Sequence, residues 1–296
     1  MTRGRALWWL ALLGLAACLR AAGPAAAPRR VVSLVPSLSE TAAALGAEEQ
    51  LVGRSRYCRH PPSLLRLPEL GGYLDPAWER LLALEPDLVL LTPESRDTRR
   101  RLEQLGLPVL ALPQNRLEEA LRGIPALGRA LGRARRGEEL EDSLRRALKP
   151  LRGALRPSRG GSGPSVLLVA DRSPEPGAPR DLWVIGRGSW LADLLEWLGA
   201  RNAAEGLAPA QPMLSREGLQ QLDPDWIIEL WPQPPAGRSL SALEADWRTW
   251  PELRAVAAGR VRALSDDCLV LPGPRLARAA ELLRATLAAR PAGRAP

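Results

Sequence analysis

The run Glu79–Leu91, ERLLALEPDLVLL, decides the fold, because the chain writes it a second time as EGLQQLDPDWIIEL over residues 217–230. Glu79, Leu81, Leu84, Glu85, Pro86 and Asp87 match Glu217, Leu219, Leu222, Asp223, Pro224 and Asp225 in order. Each copy reads the same way. Leucines three residues apart give a short helix one apolar face. Proline then stops the helix, because it has no N–H and disfavours helix in the residue before it. An apolar, β-rich run follows, 88–91 or 226–230, and reads as a buried strand. The glutamate opens each helix, where negative charge is favoured. Two such units predict two α/β halves.

A chain of 296 residues is long enough for two domains. With 46% hydrophobic and 25% charged residues it is globular rather than disordered. The net charge of +8 comes almost wholly from arginine, since Lys149 is the only lysine. That arginine runs through the whole chain beside glutamate, without a recognition motif, so the charge does not point to nucleic acid. The start is different in kind. Arg3 and Arg5 precede an apolar run from Ala6 to Ala17, too short for a bilayer, which needs about 20 residues. This is a signal-peptide pattern over residues 1–17. It ends in Leu15-Ala16-Ala17-Cys18, which resembles the bacterial lipoprotein box; the resemblance implies lipid on Cys18 and a mature protein anchored outside the cytoplasm. Ordinary cleavage near Ala22 is the alternative. Residues 18–29 read as a tether.

Beyond Cys18 only Cys58 and Cys268 remain, and they are expected free or separately buried rather than paired. His60 is the only histidine and no Cys-x-x-Cys exists, so a zinc site is not expected. Strands are expected over 30–35, 51–53, 108–111, 166–170, 182–186 and 260–264. Helices are expected over 38–45, with Ser37 or Ser39 as cap, over 95–105, 189–198 capped by Ser189, and 275–290. The loop 54–77 is long, rich in Pro and Gly, and holds both tyrosines, which marks it as functional. Residues 116–156 are leucine-periodic and charge-laced without a strand signal. Pro125 predicts one break there, followed by a long helix. The expected architecture is therefore an N-terminal Rossmann-like lobe over 30–125, a linking helix over 126–157 and a C-terminal lobe over 158–296. Each lobe has a parallel sheet, and the ligand cleft lies between the lobes.

The ordered set RVVSLVPSLSE, YCRHPP, LPELGGYLDPAWERLLALEPDLVLL, LGLPVLAL, SREGLQQLDPDWII and LPGPRLARAAELL resembles the cobalamin-binding proteins of ABC importers, from about Arg30 to Leu283. These belong to a substrate-binding group with a rigid linking helix that also takes haem, siderophores and metal ions. The resemblance implies a monomeric, extracytoplasmic receptor, not an enzyme, that carries a corrinoid to a dimeric permease with ATPase subunits. On it, Glu79 and Glu217 dock onto the permease, and Tyr57, Tyr73 and Trp183 line the cleft, with Trp190, Trp231 and Cys268 as weaker candidates. Neither 92–95 nor 265–271 carries the aromatic expected there, which leaves room for another macrocycle, such as haem held by a tyrosine phenolate. His60 is a weak candidate for an axial metal ligand. Catalysis is not expected: Ser37 sits on a strand-to-helix turn, but no G-x-S-x-G surrounds it, and no phosphate-binding or dinucleotide motif appears.

Overall fold

The computed structural model describes residues 27–157, 161–208 and 211–289. The leader 1–17, Cys18 and the tether up to residue 26 lie outside the described residues. The first lobe alternates β1 (Val31–Ser33), α1 (Pro36–Ala44), β2 (Leu51–Arg54), α2 (Trp78–Ala83), β3 (Leu88–Leu91), α3 (Arg96–Gln104) and β4 (Val109–Ala111). Its four strands are all parallel, in the order β2-β1-β3-β4. The central strands β1 and β3 are mostly buried and mainly apolar, as parallel strands covered on both faces usually are, with Ser33 and Arg54 as buried polar ends of β1 and β2 and β4 half-buried at the edge.

Two helices follow, α4 (Leu117–Ala130) and α5 (Ala134–Leu148). The expected break at Pro125 and single long helix after it are not what forms. Pro125 sits inside α4, and the chain reverses at Gly132, where φ is +71°. The two helices then lie antiparallel. A bidentate pair from Arg145 to Glu118, at 2.7 and 3.0 Å, ties the end of α5 to the start of α4. Glycine makes the close packing possible: a Cβ on Gly137 would stand 2.9 Å from the Cα of Pro125. The lobes are thus bridged by a helical hairpin.

The second lobe comprises β5 (Ser165–Asp171), β6 (Leu182–Val184), α6 (Trp190–Leu198), β7 (Arg201–Asn202), β8 (Met213–Leu214), α7 (Arg216–Leu222), β9 (Trp226–Leu230), α8 (Leu240–Asp246), α9 (Arg254–Ala257), β10 (Val261–Leu264) and α10 (Leu276–Ala288). Strands β10, β9, β5 and β7 are parallel. On the far side β6 runs antiparallel to both β5 and β8, so this sheet is mixed.

The repeated units fold alike down to the backbone. The residue before each proline is left-handed, Glu85 at φ +43° and Asp223 at φ +33°. The aspartate after each proline anchors the first strand of its lobe. Asp87 accepts from the backbone N–H groups of Arg29 and Arg30 at 2.7 and 2.9 Å, and Asp225 accepts from that of Ser165 at 2.9 Å. Their own N–H groups return the bond, to the carbonyls of Arg30 and Ser165. Caps differ from expectation at α1, which starts at Pro36 with no side-chain cap; Ser37 instead donates to Gln114 at 2.5 Å. Ser189 does cap α6, accepting from the N–H of Leu191 at 3.3 Å.

Candidate functional site

In both lobes a helix that feeds a parallel strand must start at the carboxyl edge of the sheet. Helix α2 feeds β3 and α7 feeds β9, so Glu79 and Glu217, each in its helix's first turn, lie at the carboxyl edges of the two sheets. Both side chains are exposed. The carboxyl of Glu217 is held below the usual carboxylate range, first by its own backbone N–H and then by the Ser215 hydroxyl.

The same edges carry the aromatic candidates. The long loop 54–77 is pinned in a ladder: Arg54 N–H to the Pro68 carbonyl, Leu70 N–H to the Arg54 carbonyl and Arg56 N–H to the Gly71 carbonyl, all within 3.0 Å. This ladder brings Tyr57 against Gly72, next to Tyr73 in the chain. Tyr73 is fixed from behind, its carbonyl accepting from Thr98 at 2.9 Å. On the second lobe Trp183 pairs with Asp171 at the carboxyl end of β5. Its neighbours Leu182 and Val184 point into the core, so Trp183 faces the other way. Tyr57, Tyr73 and Trp183 are 50%, 39% and 44% exposed, which is unusual for rings of this size.

The weaker candidates stand differently. Trp190, Trp231 and Cys268 are buried. Trp190 opens α6 with its ring in the main core, and Trp231 is committed to Glu229, to which its Nε1–H donates at 3.1 Å. These three, expected at the cleft, are buried in this structure and expose little surface there. Cys58 and Cys268 are both free and buried. Burial pushes the Cys268 thiol up to about 12, with Asp266 adding to the shift, and pushes Cys58 up as well. His60 is half-buried near Glu40, and among the described residues no group of three metal-ligating side chains assembles.

Two features escape sequence reasoning. The first is a contact between lobes. Arg275, just before α10, grips Glu40 of α1 through two bonds of 2.6 and 2.9 Å and also reaches Asp267 at 2.5 Å. Burial raises the Glu40 carboxyl, with Arg275 pulling the other way. The second is a buried ionic cluster at the carboxyl end of β5 and β9. Arg172 pairs with Glu229 and, at 3.0 Å, with Asp246, while Trp247 donates to Glu229 at 2.8 Å. One signal was available for it: Glu229 is a charge inside the apolar strand WIIEL, and a buried charge needs a partner.

Between the lobes, at these edges, lies a pocket of about 380 Å3 bounded by Arg59 on one side and Pro232, Gln233, Ser265, Asp266 and Asp267 on the other. All six residues follow the carboxyl ends of β2, β9 or β10, which is where α/β lobes bind their ligands. A second hollow of about 430 Å3, lined by Arg156, Trp226 and Arg260, lies at the opposite, amino edge of the second sheet.

Two α/β lobes with facing carboxyl edges and an open cleft define a bilobal binding protein rather than a single closed domain. Residues 31–268 match the family model described as periplasmic binding protein, and the chain belongs to that family. An uncharacterised ABC transporter substrate-binding lipoprotein of Bacillus subtilis, YvrC, is 26% identical over 86% of this chain and 79% of its own length. The periplasmic vitamin B12-binding protein BtuF of Vibrio cholerae superposes with a TM-score of 0.74 at 25% identity, over 88% of this chain and 96% of that one. A periplasmic heme-binding protein from Pseudomonas aeruginosa superposes at 0.72 with 31% identity, covering 90% and 95%. Among the described residues no helix is long and apolar enough to cross a membrane.

Proposed function

We propose that this protein is the extracytoplasmic receptor of an ABC importer, that it captures cobalamin or a related corrinoid between its lobes, and that it delivers it to a dimeric permease with ATPase subunits. The observation that carries the reading is the pair of aromatic lips on the cleft, Tyr57 and Tyr73 on one lobe and Trp183 on the other, left exposed at the carboxyl edges of both sheets. A corrin is broad and flat with apolar faces, and large rings bury about 150–250 Å2 each against such a surface. The likeness to BtuF and to the substrate-binding lipoprotein supports the same reading. Lipid on Cys18 tethers the receptor, and the monomer works alone.

Glu79 and Glu217 are the docking points. They are the same residue at the same turn of a duplicated unit, both exposed and both at the cleft's edge. A two-fold permease presents the same pocket twice, so two equivalent carboxylates fit it. Replacing both, Glu79→Ala with Glu217→Ala, leaves ligand affinity unchanged and abolishes ligand delivery, measured by uptake in cells; loss of affinity in the purified variant sinks the assignment. No reaction is ascribed to the cleft, and ligand recovered after binding is chemically unchanged.

The second reading is haem. Two exposed phenols sit side by side, and a tyrosinate is a good ligand for ferric iron; the Pseudomonas aeruginosa relative binds heme. Titrating the full chain, with Cys18→Ser to prevent lipidation, against cyanocobalamin and haemin separates the two by absorbance and calorimetry. The corrinoid reading expects one-to-one binding of cyanocobalamin and fails if only haemin binds.

A further inference from the structure

The pocket between the lobes has a composition that selects among flat ligands. Its first-lobe wall is Arg59, which makes no ion pair among the described residues. Its second-lobe wall offers an amide at Gln233, a hydroxyl at Ser265 and the carboxylates Asp266 and Asp267. Both oxygens of Asp266 are taken, one by the N–H of Cys268 at 3.1 Å and the other by Arg278 at 2.5 Å. Asp267 gives one oxygen to Arg275, which itself serves Glu40. One arginine thus answers two carboxylates, and Arg59 offsets the charge left over. The pocket as a whole is near neutral and holds donors and acceptors side by side.

That mixture fits one kind of group. A carboxylate only accepts, and here it meets Asp267 as well as Arg59. A primary carboxamide donates and accepts at once, so its carbonyl can take Arg59 or Ser265 while its NH2 reaches Asp267 or Gln233. A volume of about 380 Å3 is too small for a macrocycle and large enough for groups on its rim. We infer that this pocket receives the uncharged carboxamide rim of the ligand and makes the protein select amide-bearing over carboxylate-bearing macrocycles. The inference rests on the corrinoid reading above and sharpens it, since corrins carry peripheral amides whereas haem carries carboxylates.

Matched corrins test it: dicyanocobinamide, whose rim is amide, and dicyanocobyrinic acid, whose rim is carboxylate, each titrated into the full chain bearing Cys18→Ser. The amide corrin is expected to bind at least about tenfold tighter. Asp267→Asn removes the repulsion and is expected to narrow that ratio about fivefold. Gln233→Ala, on an exposed residue that the fold does not need, is expected to weaken the amide corrin about fivefold and the acid little. Equal affinity for the two corrins, or a ratio that neither variant moves, overturns the amide selection while leaving the corrinoid reading intact. Failure of both corrins to bind removes the corrinoid reading and the selection with it.

Discussion

The two copies of the glutamate unit solve one problem with different surroundings. In both, a left-handed residue before proline turns the chain, an aspartate after it pins the lobe's first strand, and a leucine from the short helix is fully buried beneath. Around that shared frame the second copy is more heavily braced. Its helix is capped by Ser215, which accepts from the N–H of Gly218 at 3.1 Å, whereas α2 has Ala77 at that place and no side-chain cap. Arg254 reaches both Asp223 and Asp225 at 3.0 Å, and among the described residues the first copy has no counterpart. What the copies keep in common is the carboxylate at the cleft's edge. What they do not share is local bracing, which each lobe has arranged for itself.

This contrast is open to attack by substitution. Leu81→Ala and Leu219→Ala should cost most, about 2–5 kcal/mol each, since both side chains are fully buried; urea unfolding reads the loss, and a cost below about 1 kcal/mol in either lobe breaks the equivalence. Asp225→Ala should cost about 2 kcal/mol and Asp87→Ala about 1, because Asp225 is less exposed and serves both a backbone N–H and Arg254. The reverse order would show that the bracing by Arg254 is idle. The smallest effect is Ser215→Ala, about 1 kcal/mol for a lost cap. It should also let the Glu217 carboxyl rise towards the usual range, seen by NMR titration. The sign follows from that depressed folded value: whatever stability Glu217 lends is complete above the ordinary carboxylate range and fades as pH falls through the folded value.

The units themselves were legible because everything that makes them is local. Proline, leucine spacing and a following apolar run lie within about a dozen residues, and the repeat doubles the signal. The linker was not legible to the same depth. Pro125 is the usual breaker, yet it is kept within α4, and the chain turns at Gly132 because Gly128 and Gly137 let two helices touch backbone to backbone. That contact is tertiary and has no trace in the spacing of leucines. The cleft divides in the same manner. Tyr57 and Tyr73 lie on a loop marked by its Pro and Gly content, Trp183 lies beside a strand, and all three rings stand exposed. The burial of Trp190, Trp231 and Cys268 had no such local sign, because it is decided by the helices and loops that close over them. The Arg275–Glu40 contact joins residues more than two hundred positions apart, a pairing that no single sequence can display.

The helical hairpin has a further effect on how the chain can be divided. One apolar cluster runs from Val31 and Leu38 through Leu121, Ile124 and Leu148 to Trp226 and Leu283, so both lobes and both hairpin helices share a single interior. Either half made by itself would present that interior to water. A gene split near residue 157 should therefore give two insoluble products, rescued only when both are co-expressed, and a protease that nicks the intact molecule there should leave the pieces associated.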